Sequence, residues 1–319
     1  MTALCGPGQN LPSQSGAELR TRRLSAGNEG TGVALALGGG FARGFAHLGV
    51  MEVLEQEQIP ISAIAGTSIG GLLGAAYADG ISIRDLCDLG RQVRVRDFIR
   101  FQRSPKDSPR NDRIGQFVRE WFHASRVEEL CIPTAIVTTD IDTCAPHVFT
   151  RGPLEVAIRA SCAFPGLFPP VEYDGRMLAD GCIAAPVPTA IAARMNALCV
   201  LGVAVSANTR NSSFADNGAG AARTLRRTRG LVLCHDQGKS ARQSKGLPEP
   251  SWSRLADVLL EPEVHQISWD DFQSVDEAHA AGAEAMRRAL PLVRELLDRR
   301  SQLRRAEENS GRLRSEMVS

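Results

Sequence analysis

The sequence predicts an α/β fold built on a largely parallel sheet covered on both faces. Apolar, β-rich runs at 33–37, 61–65, 134–139 and 197–205 read as buried strands, and segments of helical periodicity lie between them. The first two runs each lead through a glycine-rich turn into a helix, as in a βα unit. No repeat occurs at a solenoid or propeller period. With 319 residues, 43% of them hydrophobic, the chain can bury a sizeable core. No run approaches the roughly 18 apolar residues of a membrane span, so a soluble protein is expected.

The 33–37 run continues into Gly38-Gly39-Gly40-Phe41-Ala42-Arg43-Gly44. Phe45, Leu48, Met51, Val53 and Leu54 then mark an amphipathic helix over 45–58, which Ile59-Pro60 stops. Successive N–H groups in such a turn, at the head of a helix, form a concavity for an anion. The anion is either a phosphate or a transition-state oxyanion, and spacing bears on the choice. A dinucleotide fingerprint starting at Gly38 needs glycine at position 43, which is Arg43. The Gly238-Lys239-Ser240 triplet has Leu233 where a P-loop needs its first glycine. An oxyanion hole fits better, each donor contributing roughly 3–4 kcal/mol to the transition state.

The 61–65 run leads into Gly66-Thr67-Ser68-Ile69-Gly70, the form of a nucleophile elbow. A serine on a sharp strand-to-helix turn needs small neighbours, because the strained backbone tolerates no bulk beside the hydroxyl. A histidine base would have to follow an acid in chain order, and Asp180 with His265 or His279 permits that order. However, only about 36 structured residues precede Ser68, too few for the strands an α/β-hydrolase builds before its elbow. None of the histidines at 47, 123, 147, 235, 265 and 279 sits in a turn that would present it as a base.

In order and spacing, the glycine turn 38–44, the elbow 66–70 and Asp180-Gly181 resemble the patatin-like phospholipases, in particular the small bacterial ones. Ala157-Ile158-Arg159-Ala160-Ser161, Phe164-Pro165-Gly166-Leu167-Phe168-Pro169-Pro170 and Pro186-Val187-Pro188 are similar to family segments as well. The similarity covers about 32–206 and resumes more weakly over about 256–297. It implies a three-layer α/β/α sandwich and a Ser–Asp dyad, with Ser68 as nucleophile and Asp180 as its base. It further implies an oxyanion loop of Gly38, Gly39, Gly40 and Phe41, supported by Arg43, Gly44, Gly66, Gly70 and Gly181. A carboxylate within reach of a serine hydroxyl can take its proton when partial burial raises its basicity. An acyl-enzyme on Ser68 would follow, released by water that Asp180 activates.

Two positions depart from the family pattern. Gly181-Cys182 follows the dyad aspartate where two glycines are common, and Phe41 stands where glycine is common. Among the Asp-Gly pairs, Asp79-Gly80 reads as a helix stop, and Asp174-Gly175 as a type I′ hairpin turn between two short runs. Asp180 has no such local explanation.

The expected organisation is a disordered arm over 1–30, a catalytic domain over 31–297 that includes a basic insert at 208–252, and a charged, frayed tail over 298–319. Within the insert, seven Lys and Arg between Arg223 and Lys245 face only Asp236, a charge pattern suited to anionic headgroups. A second basic stretch, 84–113, leads to Trp121-Phe122. Nucleic acid is not an expected partner, since the net charge is only +1 and no aromatic–basic motif occurs. Scattered cysteines without a CxxC pair point to reduced thiols, and the first thirty residues lack a signal-peptide pattern, so a cytoplasmic protein with optional peripheral membrane contact is expected. No cofactor is implied, and no acidic cluster has Ca²⁺-loop spacing. The substrate is expected to be a carboxylic ester of a phospholipid or lysophospholipid, with Phe164, Leu167 and Phe168 along the acyl chain. A Ser-His-Asp esterase or thioesterase, a non-enzymatic scaffold of the same fold and a nucleotide-binding α/β domain stand as alternatives. Oligomeric state is left open.

Overall fold

The Val-Ala-Leu-Ala-Leu alternation of β1 (Val33–Leu37) divides the protein into two cores. Successive strand side chains point to opposite faces. Val33, Leu35 and Leu37 therefore join the larger core, while Ala34 and Ala36 join a smaller one with Ala63, Ala65 and Ala135. The computed structural model describes residues 30–93, 113–206 and 255–316. The expected N-terminal arm, the basic insert and most of the basic stretch at 84–113 lie outside the described residues, apart from Gly30 of the arm.

Among the described residues the sheet has eight strands. β1, β2 (Ile61–Thr67), β3 (Thr134–Asp140), β7 (Cys199–Val203) and β8 (Val258–Leu260) run parallel in the order β3-β2-β1-β7-β8. β4 (Pro146–Phe149) and β6 (Arg176–Asp180) pair antiparallel with β3, and β5 (Val171–Tyr173) pairs antiparallel with β6. The hairpin at Asp174-Gly175 forms as its sequence predicts, with φ of 50° and 69° at the two turn residues.

A 3-10 turn (Phe41–Phe45) precedes α1 (Ala46–Gln56), and α2 (Ile69–Ala78) leaves β2 at Ser68. α3 (Ile83–Gln92), α4 (Arg113–Trp121) and α5 (Leu154–Ser161) follow, and their apolar residues belong to the larger core. Ser82 caps α3 through the Asp85 amide, at 3.0 Å. On the small-residue face, the short α6 (Thr189–Ala192) lies close to the alanines of β1 and β2. Small side chains there let the 184–195 segment approach the sheet.

The last helix, α7 (Val275–Glu316), corrects the expectation of a frayed tail from 298 onward. Two of its arginines are anchored. Arg300 donates to both carboxylate oxygens of Asp257 and to the Leu198 carbonyl, and Arg304 donates to the Gly30 carbonyl at 2.6 Å. None of the described helices is long and apolar enough to cross a membrane. Cys87, Cys131, Cys162, Cys182 and Cys199 are free thiols, whereas Cys144 is disulfide-bonded, a departure from the all-thiol expectation.

α7 crosses α1 backbone to backbone. A Cβ placed on Gly49 would fall 1.9 Å from the His279 carbonyl oxygen, and one on Gly282 would fall 1.8 Å from that of Ala46. A methyl group cannot displace helix backbone without separating the pair, and that penalty exceeds the roughly 1 kcal/mol by which alanine favours a helix over glycine. Gly282→Ala is therefore expected to destabilise the protein by about 1–3 kcal/mol, read as a lower midpoint in thermal or urea unfolding.

Candidate active site

β2 ends at Thr67, and the chain turns into α2 through Ser68 at φ 54° and ψ −125°. This left-handed φ costs about 1–3 kcal/mol for a residue with a Cβ and persists only where the surroundings hold it. The flanking glycines are required by contact. A Cβ on Gly66 would lie 2.5 Å from the Gly71 Cα, and one on Gly70 would lie 2.4 Å from the Leu37 carbonyl oxygen. The Ser68 N–H donates to Ser161 Oγ at 2.8 Å, and Ser161 Oγ donates to the Val137 carbonyl at 2.7 Å. Ser161 is fully buried and ties the elbow to β3. In the sequence it is marked only as the last residue of a stretch similar to a family segment, with no role attached.

Asp180 reaches the elbow through strand register. β3 pairs with β2 up to Val137, opposite Thr67, and with β6 from Thr138, opposite Asp180. The end of β6 thus stands one residue further along β3 than the end of β2. Ser68 Oγ donates to Asp180 Oδ2 at 2.7 Å, and the Cys182 N–H donates to Asp180 Oδ1 at 2.8 Å. The Asp180 main chain is held on both sides, its N–H by the Ala163 carbonyl at 3.0 Å and its carbonyl by Thr139 Oγ1 at 2.9 Å. Asp180 has no exposed surface, and burial pushes its pKa up to about 6, partly offset by the Cys182 amide and the Ser68 hydroxyl. Gly181 keeps this junction closed, since a Cβ there would lie 2.3 Å from the Val137 carbonyl oxygen.

No described histidine hydrogen-bonds to Ser68 or Asp180. His279 Nε2 lies 3.4 Å from Glu52, where α7 meets α1, and His123 pairs with Asp79. His47 is buried beneath the glycine turn, where its Nε2 lies 2.7 Å from the Gly38 carbonyl oxygen. A carbonyl only accepts, so Nε2 carries the proton, and burial pushes the ring pKa down to about 4, leaving it neutral. This support was not read from the sequence.

The glycine turn lies against the elbow, with Gly39 packed on Ser68: a Cβ on Gly39 would approach the Ser68 Cβ to 3.3 Å and the Cys182 Sγ to 2.0 Å. Two of the four expected donors have backbone acceptors in the structure. The Gly38 N–H donates to the Val203 carbonyl at 3.0 Å and the Gly39 N–H to the Pro186 carbonyl at 3.2 Å. These two amides complete the junction of β1 with its neighbours. Gly40 and Phe41 have no such backbone acceptor among the described residues. Phe41 holds φ 52° where glycine would be unstrained. Arg43 is buried and donates from Nε to the Ile267 carbonyl at 2.7 Å, and the Ala42 N–H donates to the Trp269 carbonyl at 3.0 Å. Gly44 admits Ile69, whose Cγ2 would lie 2.4 Å from a Cβ at that position.

A cavity of about 140 Å³ opens from Ser68 between α2, α3, α4 and the 269–272 segment. Its lining is apolar apart from the Ser68 hydroxyl and the Cys162 thiol, and burial raises the pKa of that thiol far above its ordinary value. Leu167 and Phe168 line it. Phe164 does not; it packs edge-on against Phe41, with ring centroids 5.4 Å apart. The remaining walls come from Leu72, Leu86, Ile114, Phe117, Trp269 and Phe272, which sequence reasoning did not assign to the site. Among the described residues, no group of three His, Cys, Asp or Glu could hold a metal ion.

Residues 35–193 match the family model of the patatin-like phospholipases. This stretch is a patatin-like phospholipase domain. An uncharacterized NTE family protein of Mycobacterium bovis is 40% identical over 196 residues, covering 60% of this chain and 52% of the relative. Lysophospholipase NTE1 of Mycosarcoma maydis is 34% identical over 211 residues, 64% of this chain and 11% of that protein. The chain thus spans about half the length of the mycobacterial relative and a small part of the fungal one. Among solved structures, VipD from Legionella pneumophila aligns with 85% of this chain and 67% of its own, at 13% identity and a TM-score of 0.44. Within the patatin-like domain lie the turn, the elbow and Asp180; Trp269, Phe272 and α7 lie beyond the matched stretch.

The raised pKa of Asp180 makes a stability prediction. Between pH 3.8 and about 6 the unfolded chain releases this proton while the native state keeps it, so wild-type stability falls as pH rises through that window. At about 1.4 kcal/mol per tenfold, the full penalty is on the order of 3 kcal/mol above pH 6. Asp180→Asn removes the ionisation. Relative to wild type, its unfolding free energy is expected to rise between pH 4 and 6.5 and then level off, in urea titrations across that range.

Proposed function

We propose that this protein is a serine acyl hydrolase that cleaves carboxylic esters of lipids, phospholipid or lysophospholipid, through a Ser68–Asp180 dyad. The observation that carries the reading is the 2.7 Å hydrogen bond from Ser68 Oγ to a fully buried carboxylate, placed at the mouth of an apolar cavity. Ser68 Oγ attacks the ester carbonyl carbon as its proton passes to Asp180 Oδ2, and the carbonyl oxygen takes on negative charge. The N–H groups of Gly40 and Phe41 face that charge. Collapse of the tetrahedral intermediate breaks the bond to the alcohol, which leaves with the proton held on Asp180. The ionised Asp180 then takes a proton from water, which attacks the acyl-enzyme, and returns that proton to Ser68 Oγ as the bond from Oγ to the acyl carbon breaks and the fatty acid leaves.

Burial suits Asp180 to this part. A carboxylate with its ordinary pKa near 3.8 is a weak base, and raising the pKa to about 6 brings it toward the operating pH while leaving most of it ionised at pH 7. The apolar walls favour a long acyl chain over a polar substituent. The lysophospholipase title of the fungal relative agrees with a lipid ester as substrate. Contact with anionic membranes through the basic residues at 223–245 belongs to the same proposal and rests on their charge alone.

A fluorophosphonate probe is expected to label wild-type protein but not Ser68→Ala. Hydrolysis of p-nitrophenyl butyrate and of lysophosphatidylcholine should fall by at least about a thousandfold in Ser68→Ala and Asp180→Asn, and stay near wild type in His279→Ala. Full activity in Ser68→Ala would sink the mechanism. In wild type, kcat/KM for the same esters should rise with pH through an apparent pKa of about 6, because the base is active only when ionised. A flat profile from pH 5 to 8 would count against Asp180 as the base.

A further inference from the structure

Six residues other than glycine hold a positive φ in the described chain, and Phe41 is the one with a large apolar side chain. Ser68 is the elbow serine, and Asp174 lies in the β5–β6 hairpin. Nothing in the local backbone of Phe41 calls for a phenyl ring, since glycine would take φ 52° without strain. A strained residue persists where surrounding contacts determine it, and such positions gather at functional sites.

The ring is held from two distant segments. It meets Phe164 edge-on at 5.4 Å and 74°, and Trp269 edge-on at 5.1 Å and 70°. The next residue fixes Trp269 in turn, because the Ala42 N–H donates to its carbonyl. Phe41, Trp269 and Ser68 all line the same cavity, while Phe164, which does not, packs against the Phe41 ring. Ring and N–H leave the same Cα. On the hydrolase reading, a carbonyl oxygen held about 3 Å from that N–H brings the adjoining acyl carbon close to the ring that lines the cavity.

We propose that Phe41 is a specificity-determining residue, whose ring, clamped by Phe164 and Trp269, admits acyl groups that are unbranched at the carbon next to the carbonyl and excludes those branched there. The inference rests on the hydrolase reading above. A straight chain presents a methylene at that carbon and passes along the ring into the cavity. A methyl branch meets a side chain with no room to rotate away, and exclusion by a clash of this kind discriminates through repulsion against the wrong substrate.

The test compares kcat/KM for p-nitrophenyl butyrate with that for its branched isomer, p-nitrophenyl 2-methylpropanoate, in wild type, Phe41→Ala, Phe41→Gly and Trp269→Ala. Thermal melts select the folded variants. Phe41→Gly removes the ring and the backbone strain together, so it is the variant expected to fold if Phe41→Ala does not. Wild type should prefer the linear ester by about tenfold or more, the range one misplaced methylene commands in a close-fitting site. Loss of the ring should lower that preference at least about fivefold, and Trp269→Ala should move it in the same direction by less. A purely structural role would slow both esters alike and leave their ratio unchanged. If wild type cleaves the linear ester and the ratio is the same in every folded variant, this inference falls while the hydrolase reading stands. If wild type cleaves neither ester and Ser68 takes no fluorophosphonate, both fall.

Discussion

Asp180 keeps a carboxylate inside the sheet with no exposed surface, and the architecture around it makes that position tolerable. A buried carboxylate without partners would carry a cost of several kcal/mol. Here one oxygen accepts from a backbone amide and the other from the Ser68 hydroxyl, so both are satisfied, yet neither partner is a cation. The carboxylate is retained without being over-stabilised. A paired arginine would hold its pKa low and make it a poor base; two neutral donors in a desolvated place leave it raised. That balance depends on β6 meeting β3 one residue beyond the end of β2, which in turn depends on Gly181 clearing the Val137 carbonyl.

The elbow and the glycine turn are held to this point by separate ties. Ser161 links the Ser68 amide to β3, and His47 supports the Gly38 carbonyl from below. The Gly38 and Gly39 amides donate to the Val203 and Pro186 carbonyls, and Phe41, after Gly40, lines the cavity. Arg43 and Ala42 then attach the turn to the 267–269 segment, so the wall that carries Trp269 is joined to the same loop that lies against Ser68. The reacting groups and the walls thus belong to one connected unit.

Much of this was legible in the chain. The alternating residues of β1, the Asp174-Gly175 turn and the glycines around Ser68 are local signals, and the elements they predict are present. Ser68 and Asp180 could be singled out because a serine between glycines and an Asp-Gly pair without turn context are both unusual locally. Other parts carried no such mark. The donors of the glycine turn could not be told apart, because each glycine offers the same N–H and only its neighbours in space decide where it points. Phe164, Leu167 and Phe168 looked alike in a proline-rich loop, and two line the cavity while one braces Phe41. The tail after 298 read as charge alone, and the Asp257 and Gly30 acceptors that anchor Arg300 and Arg304 are distant in sequence.

By itself the sequence determined what local chemistry controls: which runs extend, where the backbone must turn sharply, and which residue types can serve as nucleophile and base. Periodicity and the steric limits on φ act over a few residues and can be read from them. Only the tertiary structure decided that Ser68 and Asp180, 112 residues apart, meet at 2.7 Å. It also decided which amides remain free beside them and which aromatic rings wall the cavity. Those outcomes depend on strand register, burial and contacts between distant segments, and burial is what raises the Asp180 pKa to about 6.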